Sequence, residues 1–321
     1  MSLKSNSSKK EIFASVVIPA RNSAAALKLI LPKLCEQLEN EFTNYEVIIV
    51  DDASKDETEN AVAILLLRLK AVRYLRLTRE FGDQIASFAG LEQSIGDCTV
   101  VFHPEIDPLE IVVPAILQCS QGEGVVYGEN ARHLEYHGPV LWLSKLFHLY
   151  CERFLDLYLP HKATDFRVFN RQVLNAITQI KDRYPLLRLY GSTVGVKSLA
   201  YPYKPIAPLK TEKKSVFARI NEGIEIIVAS TKHPLRFVTR VGFGVGLLVF
   251  INDLLSLQLG TILSGFTWFM LFAILLIFGE YLGRILEESV NRPLYYVLYE
   301  KNSNVSLVDQ RKNIVEATFK E

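Results

Sequence analysis

The stretch Glu46-Val-Ile-Ile-Val-Asp-Asp-Ala-Ser-Lys-Asp56 decides how the rest of the chain is read. An unbroken β-branched run is the pattern of a strand buried on both faces, and this one stops at two carboxylates followed by small polar residues that start helices. In an open parallel sheet, ligands bind beyond the carboxyl ends of the strands, so Asp51 and Asp52 stand where a ligand would. The same residues also read as a strand running into a capped helix, with Ser54 or Asp52 as the N-cap.

On either side, β and α patterns alternate. Residues 14–19 form a short apolar strand closed by Pro19, and 24–38 carry helical spacing through Leu27, Ile30, Leu31 and Leu34. Downstream come a helix at about 58–69, a strand at 72–77, a helix at 84–94 ended by Gly96, and a strand at 99–102 that runs into His103-Pro-Glu-Ile-Asp-Pro108. Short connections in this order predict a doubly wound, mostly parallel α/β sheet.

Composition narrows the function. The chain has 321 residues, 49% hydrophobic and 22% charged. Its mean hydropathy of +0.17 is high for an enzyme wholly in water, so part of it is expected in a bilayer. A net charge of +1 gives no general attraction to nucleic acid. Cys35, Cys98, Cys119 and Cys151 are scattered without a paired motif, which fits reduced thiols in a cytoplasmic domain. The polar first residues lack the apolar core of a signal peptide, so the first domain is not expected to be exported.

The order Val16-Val-Ile-Pro-Ala-Arg-Asn22, then residues 47–56, then Arg79-Glu-Phe-Gly-Asp-Gln84, then Gly96-Asp97, resembles the nucleotide-sugar-binding half of family-two inverting glycosyltransferases. The resemblance implies a GT-A-like fold, that of nucleotide-diphosphosugar transferases. It assigns the nucleotide-sugar site to Pro19, Arg21, Val50, Asp51 and Asp52, together with His103 and Glu105. A carboxylate such as Asp52 accepts hydrogen bonds from the imide or amino edge of a base.

In that family an Asp-x-Asp pair holds a divalent metal against the donor diphosphate. This chain has His103-Pro104-Glu105 there, with Asp107 as a further carboxylate. One imidazole with carboxylates is a donor set for Mn2+ or Mg2+, shifted towards Mn2+ by the nitrogen. The alternative is an ordinary loop whose ancestor held a metal. Asn22-Ser23 also departs from the family's Asn-Glu. In the next strand and loop, 125–133, Arg132 is the remaining arginine that the resemblance offers to an acceptor phosphate.

Thr164-Asp-Phe-Arg-Val-Phe-Asn-Arg171 resembles the Gly-Asp-Phe-Arg-x-x-x-Arg segment of polyprenyl-phosphate glycosyltransferases. That resemblance places Asp165 and Arg167 at the join of donor and acceptor sites as the catalytic pair, and Arg167 has the planar donors for phosphate. A buried structural ion pair is the other reading of these two residues. Lys210, Lys213 and Lys214 precede an amphipathic helix and are the lysines for an acceptor phosphate, or for anionic lipid headgroups. Residues 141–159 read as an amphipathic helix, packed in the core or laid on a membrane surface.

Residues 237–259 and 262–283 read as two transmembrane helices, the first marked by Asp253, with basic residues flanking both on the cytoplasmic side. Gly279-Glu-Tyr-Leu-Gly-Arg-Ile285 followed by Asn291-Arg-Pro-Leu-Tyr-Tyr-Val297 resembles the C-terminal signature of bacterial polyprenyl-phosphate glycosyltransferases. The expected organisation is therefore a disordered tail at 1–11, a cytoplasmic transferase domain at 12–216, and a juxtamembrane helix at 217–233. A membrane hairpin at 234–285 and a cytoplasmic tail at 286–321 follow.

These readings imply a multi-pass protein of the cytoplasmic (inner) membrane that moves a sugar, with inversion, from a nucleotide-diphosphate sugar to a polyprenyl phosphate in cell-envelope glycan synthesis. The lipid bilayer is a partner, nucleic acid is not, and a homo-oligomer stays open. The rival reading is a catalytically silent membrane scaffold that has lost the Asp-x-Asp pair. A processive polysaccharide synthase is disfavoured because such enzymes resemble longer chains with more membrane helices.

Overall fold

The computed structural model describes residues 9–122, 124–131, 163–179, 195–207 and 293–303, with single positions at 149, 153, 244 and between 267 and 285. The chain divides into two compact units. The first is drawn from Met1–Tyr136, Leu157–Thr211 and Leu294–Glu321, and the second from His137–Asp156 and Glu212–Pro293.

The first unit is built on one eight-stranded sheet. Its early part alternates strand and helix: β1 (Lys10–Ala20), α1 (Ala24–Glu41), β2 (Phe42–Asp51), α2 (Thr58–Leu66), β3 (Val72–Leu77), α3 (Asp83–Gln93), β4 (Cys98–Val101) and α4 (Val112–Ser120). Then come β5 (Val125–Asn130), β6 (Ala163–Asn170), α5 (Arg171–Gln179), β7 (Ser198–Tyr203) and β8 (Val297–Asn302). The strand order is β7-β5-β6-β4-β1-β2-β3-β8.

The β-branched runs explain the two-faced core. Val16, Ile18, Val47 and Ile49 pack under Leu27, Leu31, Leu34 and Leu38 of α1, with Val62 of α2 and Ile116 of α4. The alternate positions Val17, Ile48 and Val50 pack against Ala86, Phe88 and Ala89 of α3 and Val173 and Ile177 of α5. Side chains alternate across a strand, so one continuous apolar run supplies both faces of the doubly wound layer. At Gly90 the approach of α3 is so close that a Cβ would lie 2.2 Å from Val17 Cγ1.

The sheet is mostly parallel, as expected: β4, β1, β2 and β3 are parallel and β5 pairs with β7 in parallel, while β6 runs antiparallel beside β4 and β8 antiparallel beside β3. Two other expectations change. Residues 286–321 are not simply a tail, because 297–302 form β8, fixed to β3 by the Arg73–Glu300 ion pair at 3.0 Å and the Tyr74–Tyr299 ring contact. β1 starts at Lys10, inside the stretch expected to be disordered. The two predicted membrane helices and the helices predicted at 141–159 and 217–233 lie, for the most part, outside the described residues. Among the described residues no helix is long and apolar enough to cross a membrane. Trp268, Leu271, Leu275, Phe278, Leu282 and Ile285 are helical and exposed, at spacings of three and four.

The antiparallel strands matter for placement. β6 begins where β4 ends, with Arg167 opposite Val101, so its first residues reach the carboxyl edge of the parallel strands. β5 and β7 end at that same edge and β8 starts there, Val297 pairing with Leu77.

Candidate active site

Four loops meet at this carboxyl edge. The loops after β1 and β2 are zipped together: Asn22 N–H donates to Ser54 Oγ at 2.9 Å, Lys55 N–H to Asn22 Oδ1 at 2.9 Å, and Ser23 N–H to Thr58 Oγ1 at 3.0 Å. Asn22 and Ala53 both have left-handed backbone, φ 53° and 52°. Asn tolerates that region, while for Ala it costs about 1 kcal/mol, strain of the kind found at ligand sites.

Asp51 and Asp52 have different tasks. Asp51 is fully buried; its Oδ1 accepts Ser54 N–H at 2.8 Å, and its Oδ2 accepts the Tyr74 hydroxyl and Arg76 Nη1. With both oxygens turned into the protein, Asp51 shapes the turn. Asp52 receives Phe81 N–H at 2.7 Å and Gly82 N–H at 2.8 Å, one on each oxygen. It thereby ties the loop before α3 to the end of β2, and each oxygen keeps a second lone pair for another donor.

Pro19 sits opposite Val50 at the last paired rungs of β1 and β2. Val50 buries its side chain in the core, which leaves only its backbone to line a site. Arg21, half-exposed, makes a two-pronged ion pair with Glu80 of the loop after β3. Glu80 was not anticipated from the sequence.

Beyond β4, His103 lies between two carboxylates. Nε2 is 3.1 and 3.2 Å from the Asp83 oxygens, and Nδ1 is 3.6 Å from Asp107 Oδ2, which also accepts the His103 N–H at 2.9 Å. Burial disfavours the imidazolium, but Asp107 and Asp83 outweigh it and raise the His103 pKa well above its ordinary value. Asp107 Oδ1 accepts the Tyr203 hydroxyl, whose pKa is raised by burial and by Asp107. Glu105 turns elsewhere, accepting the Ser23 hydroxyl at 2.8 Å.

The expected metal ligands therefore do not assemble. The ring nitrogens of His103 face Asp83 and Asp107 instead, and these carboxylates raise its pKa, which opposes the deprotonated nitrogen that a metal ligand needs. Among the described residues no group of three or more His, Cys, Asp or Glu side chains is placed to hold a metal ion.

Asp165 stands at the start of β6, where Gln84 Nε2 donates to it at 3.4 Å. Two residues on and on the same face, buried Arg167 has its guanidinium 5.9 Å from the Tyr127 ring centre. The predicted catalytic pair is thus brought to the edge that Asp52 and His103 share. Arg132, Lys210, Lys213 and Lys214 lie outside the described residues.

The carboxyl edge of an open α/β sheet, here lined by carboxylates, His103 and arginines, is where such folds bind their ligands. The chain belongs to glycosyl transferase family 2, whose sequence profile matches residues 15–178, and it is a glycosyltransferase. An uncharacterized glycosyltransferase of Bacillus subtilis is 28% identical over 305 residues, covering 90% of this chain and 94% of that one. An undecaprenyl-phosphate 4-deoxy-4-formamido-L-arabinose transferase of Pseudomonas fluorescens is 27% identical over 307 residues, covering 89% of each. The crystal structure of a Mycobacterium tuberculosis glucosyl-3-phosphoglycerate synthase with Mn2+, UDP and phosphoglyceric acid matches 68% of this chain and 77% of its own. Its TM-score is 0.44 and its identity 15%.

Proposed function

We propose that this glycosyltransferase moves a sugar from a nucleotide-diphosphate sugar to a polyprenyl phosphate, at the cytoplasmic face of a membrane, in the making or modification of a cell-envelope glycan. The observation that carries the reading is the gathering of Asp52, His103, Asp165 and Arg167 at one edge of the sheet. The likeness over most of its length to a transferase named for undecaprenyl phosphate supports the choice of acceptor. Exposed apolar side chains at helical spacing from Trp268 to Ile285 support a bilayer partner, since a contiguous apolar stripe of that length is unusual in water.

In this reading the base lies over the ends of β1 and β2, where the second lone pairs of Asp52 accept its donors. The diphosphate extends towards His103. The acceptor phosphate has a second pKa of about 6, so it is largely dianionic at neutral pH and attacks without a strong general base. One of its oxygens forms a bond to the anomeric carbon while the bond from that carbon to the diphosphate breaks on the opposite face. Configuration inverts, and the nucleoside diphosphate departs with the electron pair. The buried Arg167 guanidinium offers planar donors to a phosphate, and the work of the site is positioning and charge stabilisation. No step is assigned to Mn2+ or Mg2+, because His103 and Asp107 are engaged with Asp83, Tyr203 and each other.

The test is thermal stabilisation of the detergent-purified protein by nucleoside diphosphates and their sugars, each with and without Mn2+ or Mg2+. A base-selective rise in melting temperature supports the donor site. No shift with any nucleotide contradicts it.

A further inference from the structure

The last strand of the sheet is wired to the turn that carries the donor contacts. Lys301 of β8 donates to Glu59 Oε1 of α2 at 2.7 Å, and its Nζ lies 4.8 Å from the centre of the Tyr299 ring. Glu59 Oε2 accepts Arg76 Nη1 at 2.9 Å. Arg76 in turn reaches Asp51 Oδ2 at 3.3 Å and, through Nη2, the carbonyl of Ser54 at 3.0 Å. Ser54 is the residue that receives Asn22 N–H from the neighbouring loop. A continuous polar path therefore runs from β8 to the strained turn 51–55, on which Asp52 is mounted.

The pairing of β8 makes this path specific. Lys301 is opposite Tyr74, the residue whose hydroxyl bonds Asp51, and Tyr299 is opposite Arg76. Within 46–56 the bond from Ser54 N–H to Asp51 Oδ1 closes the turn, and Arg76, gripping Asp51 and the Ser54 carbonyl together, braces it from outside. Glu59 is shared between the two cations, its Oε2 accepting Arg76 and its Oε1 accepting Lys301.

We propose that Lys301 is a positioning residue for the nucleotide donor, acting through Glu59 and Arg76 on the turn that carries Asp52, although it does not itself touch the nucleotide. The inference rests on the donor site proposed above. It also gives the return of the chain into β8 a functional consequence, because this strand follows directly on the second unit.

The probes are UDP and GDP, titrated calorimetrically into the full-length detergent-purified protein. Lys301→Met is expected to weaken the nucleotide that the wild type binds by about 3- to 10-fold, a coupling of the size carried by packed polar networks. Lys301→Arg, which keeps the contact to Glu59, is expected to restore affinity to within about 2-fold. Glu300→Gln is the structural control: it breaks the neighbouring Arg73–Glu300 pair of the same strand, and is expected to lower the melting temperature without changing affinity. If Lys301→Met is too unstable to titrate, Glu59→Gln reads the same path and is expected to weaken binding by a similar factor. Unchanged affinity in the folded Lys301→Met or Glu59→Gln protein overturns the proposal, as does equal weakening by Glu300→Gln. A wild type that binds neither nucleotide overturns the donor reading itself, and the inference with it.

Discussion

His103 and Asp83 face each other across the carboxyl edge of the sheet, with Nε2 3.1 Å from the nearer carboxylate oxygen. Asp52, just past β2, holds the N–H groups of Phe81 and Gly82, the residues just before Asp83, so the end of β2 is linked through Asp83 to His103 after β4. The candidate site is thus one connected structure rather than a set of independent side chains.

That pairing has a pH signature. The folded-state pKa of His103 lies above its ordinary value, so its stabilising contribution is complete below about pH 6.5 and fades as pH rises through the folded value. His103→Gln is expected to lose stability relative to wild type most at pH 6, with the gap closing at higher pH. Urea unfolding of both proteins from pH 6 to 10 checks this; a pH-independent gap contradicts it.

Removing Asp52 leaves two inward N–H groups without their acceptor. Asp52→Ala is expected to cost about 1–3 kcal/mol for each N–H left unsatisfied and to weaken every nucleotide tested. Denaturant unfolding and nucleotide titration of the same protein read both effects. Retained binding removes the pocket from this strand.

The exposed Arg21–Glu80 pair behaves differently. Glu80→Ala is expected to change stability by no more than about 1 kcal/mol, since a solvated ion pair contributes little even when two-pronged. Arg21→Ala is expected to be equally mild in unfolding but to weaken nucleotide binding. A large loss of stability in either variant contradicts the placement of this pair at the surface.

Packing beneath the site is tight. Gly90→Ala is expected to destabilise by about 1–3 kcal/mol because the new methyl meets Val17, and Val17→Ala in the same protein is expected to restore part of the loss. Additive losses in the double variant contradict the steric account.

The fold was largely legible because its central strands carry local signals. Residues 46–50 and 14–19 announce buried strands by β-branching, and the helix between them by spacing. What lay hidden depends on partners distant in sequence. Lys301 pairs with Tyr74 across 227 positions, and no local period marks 297–302 as belonging beside β3. In the site, Asp52 and the pair Asp165–Arg167 stood out from their motif context. Asp51, with the same motif behind it, serves the turn because its side chain points to Tyr74 and Arg76, a direction fixed only once β3 lies alongside. His103 read as a metal ligand because Asp83, 20 residues earlier, gives no sign in the sequence of facing it.

The most direct measurement is transfer itself. The detergent-purified protein is incubated with labelled nucleotide-diphosphate sugars, with and without undecaprenyl phosphate, and label is read in the organic phase for wild type and Arg167→Ala. The account predicts label in lipid that requires the polyprenyl phosphate and falls at least about 100-fold in the variant, as when a group stabilising transition-state charge is removed. No lipid-linked label from any donor that the protein binds, or label undiminished in Arg167→Ala, would contradict it.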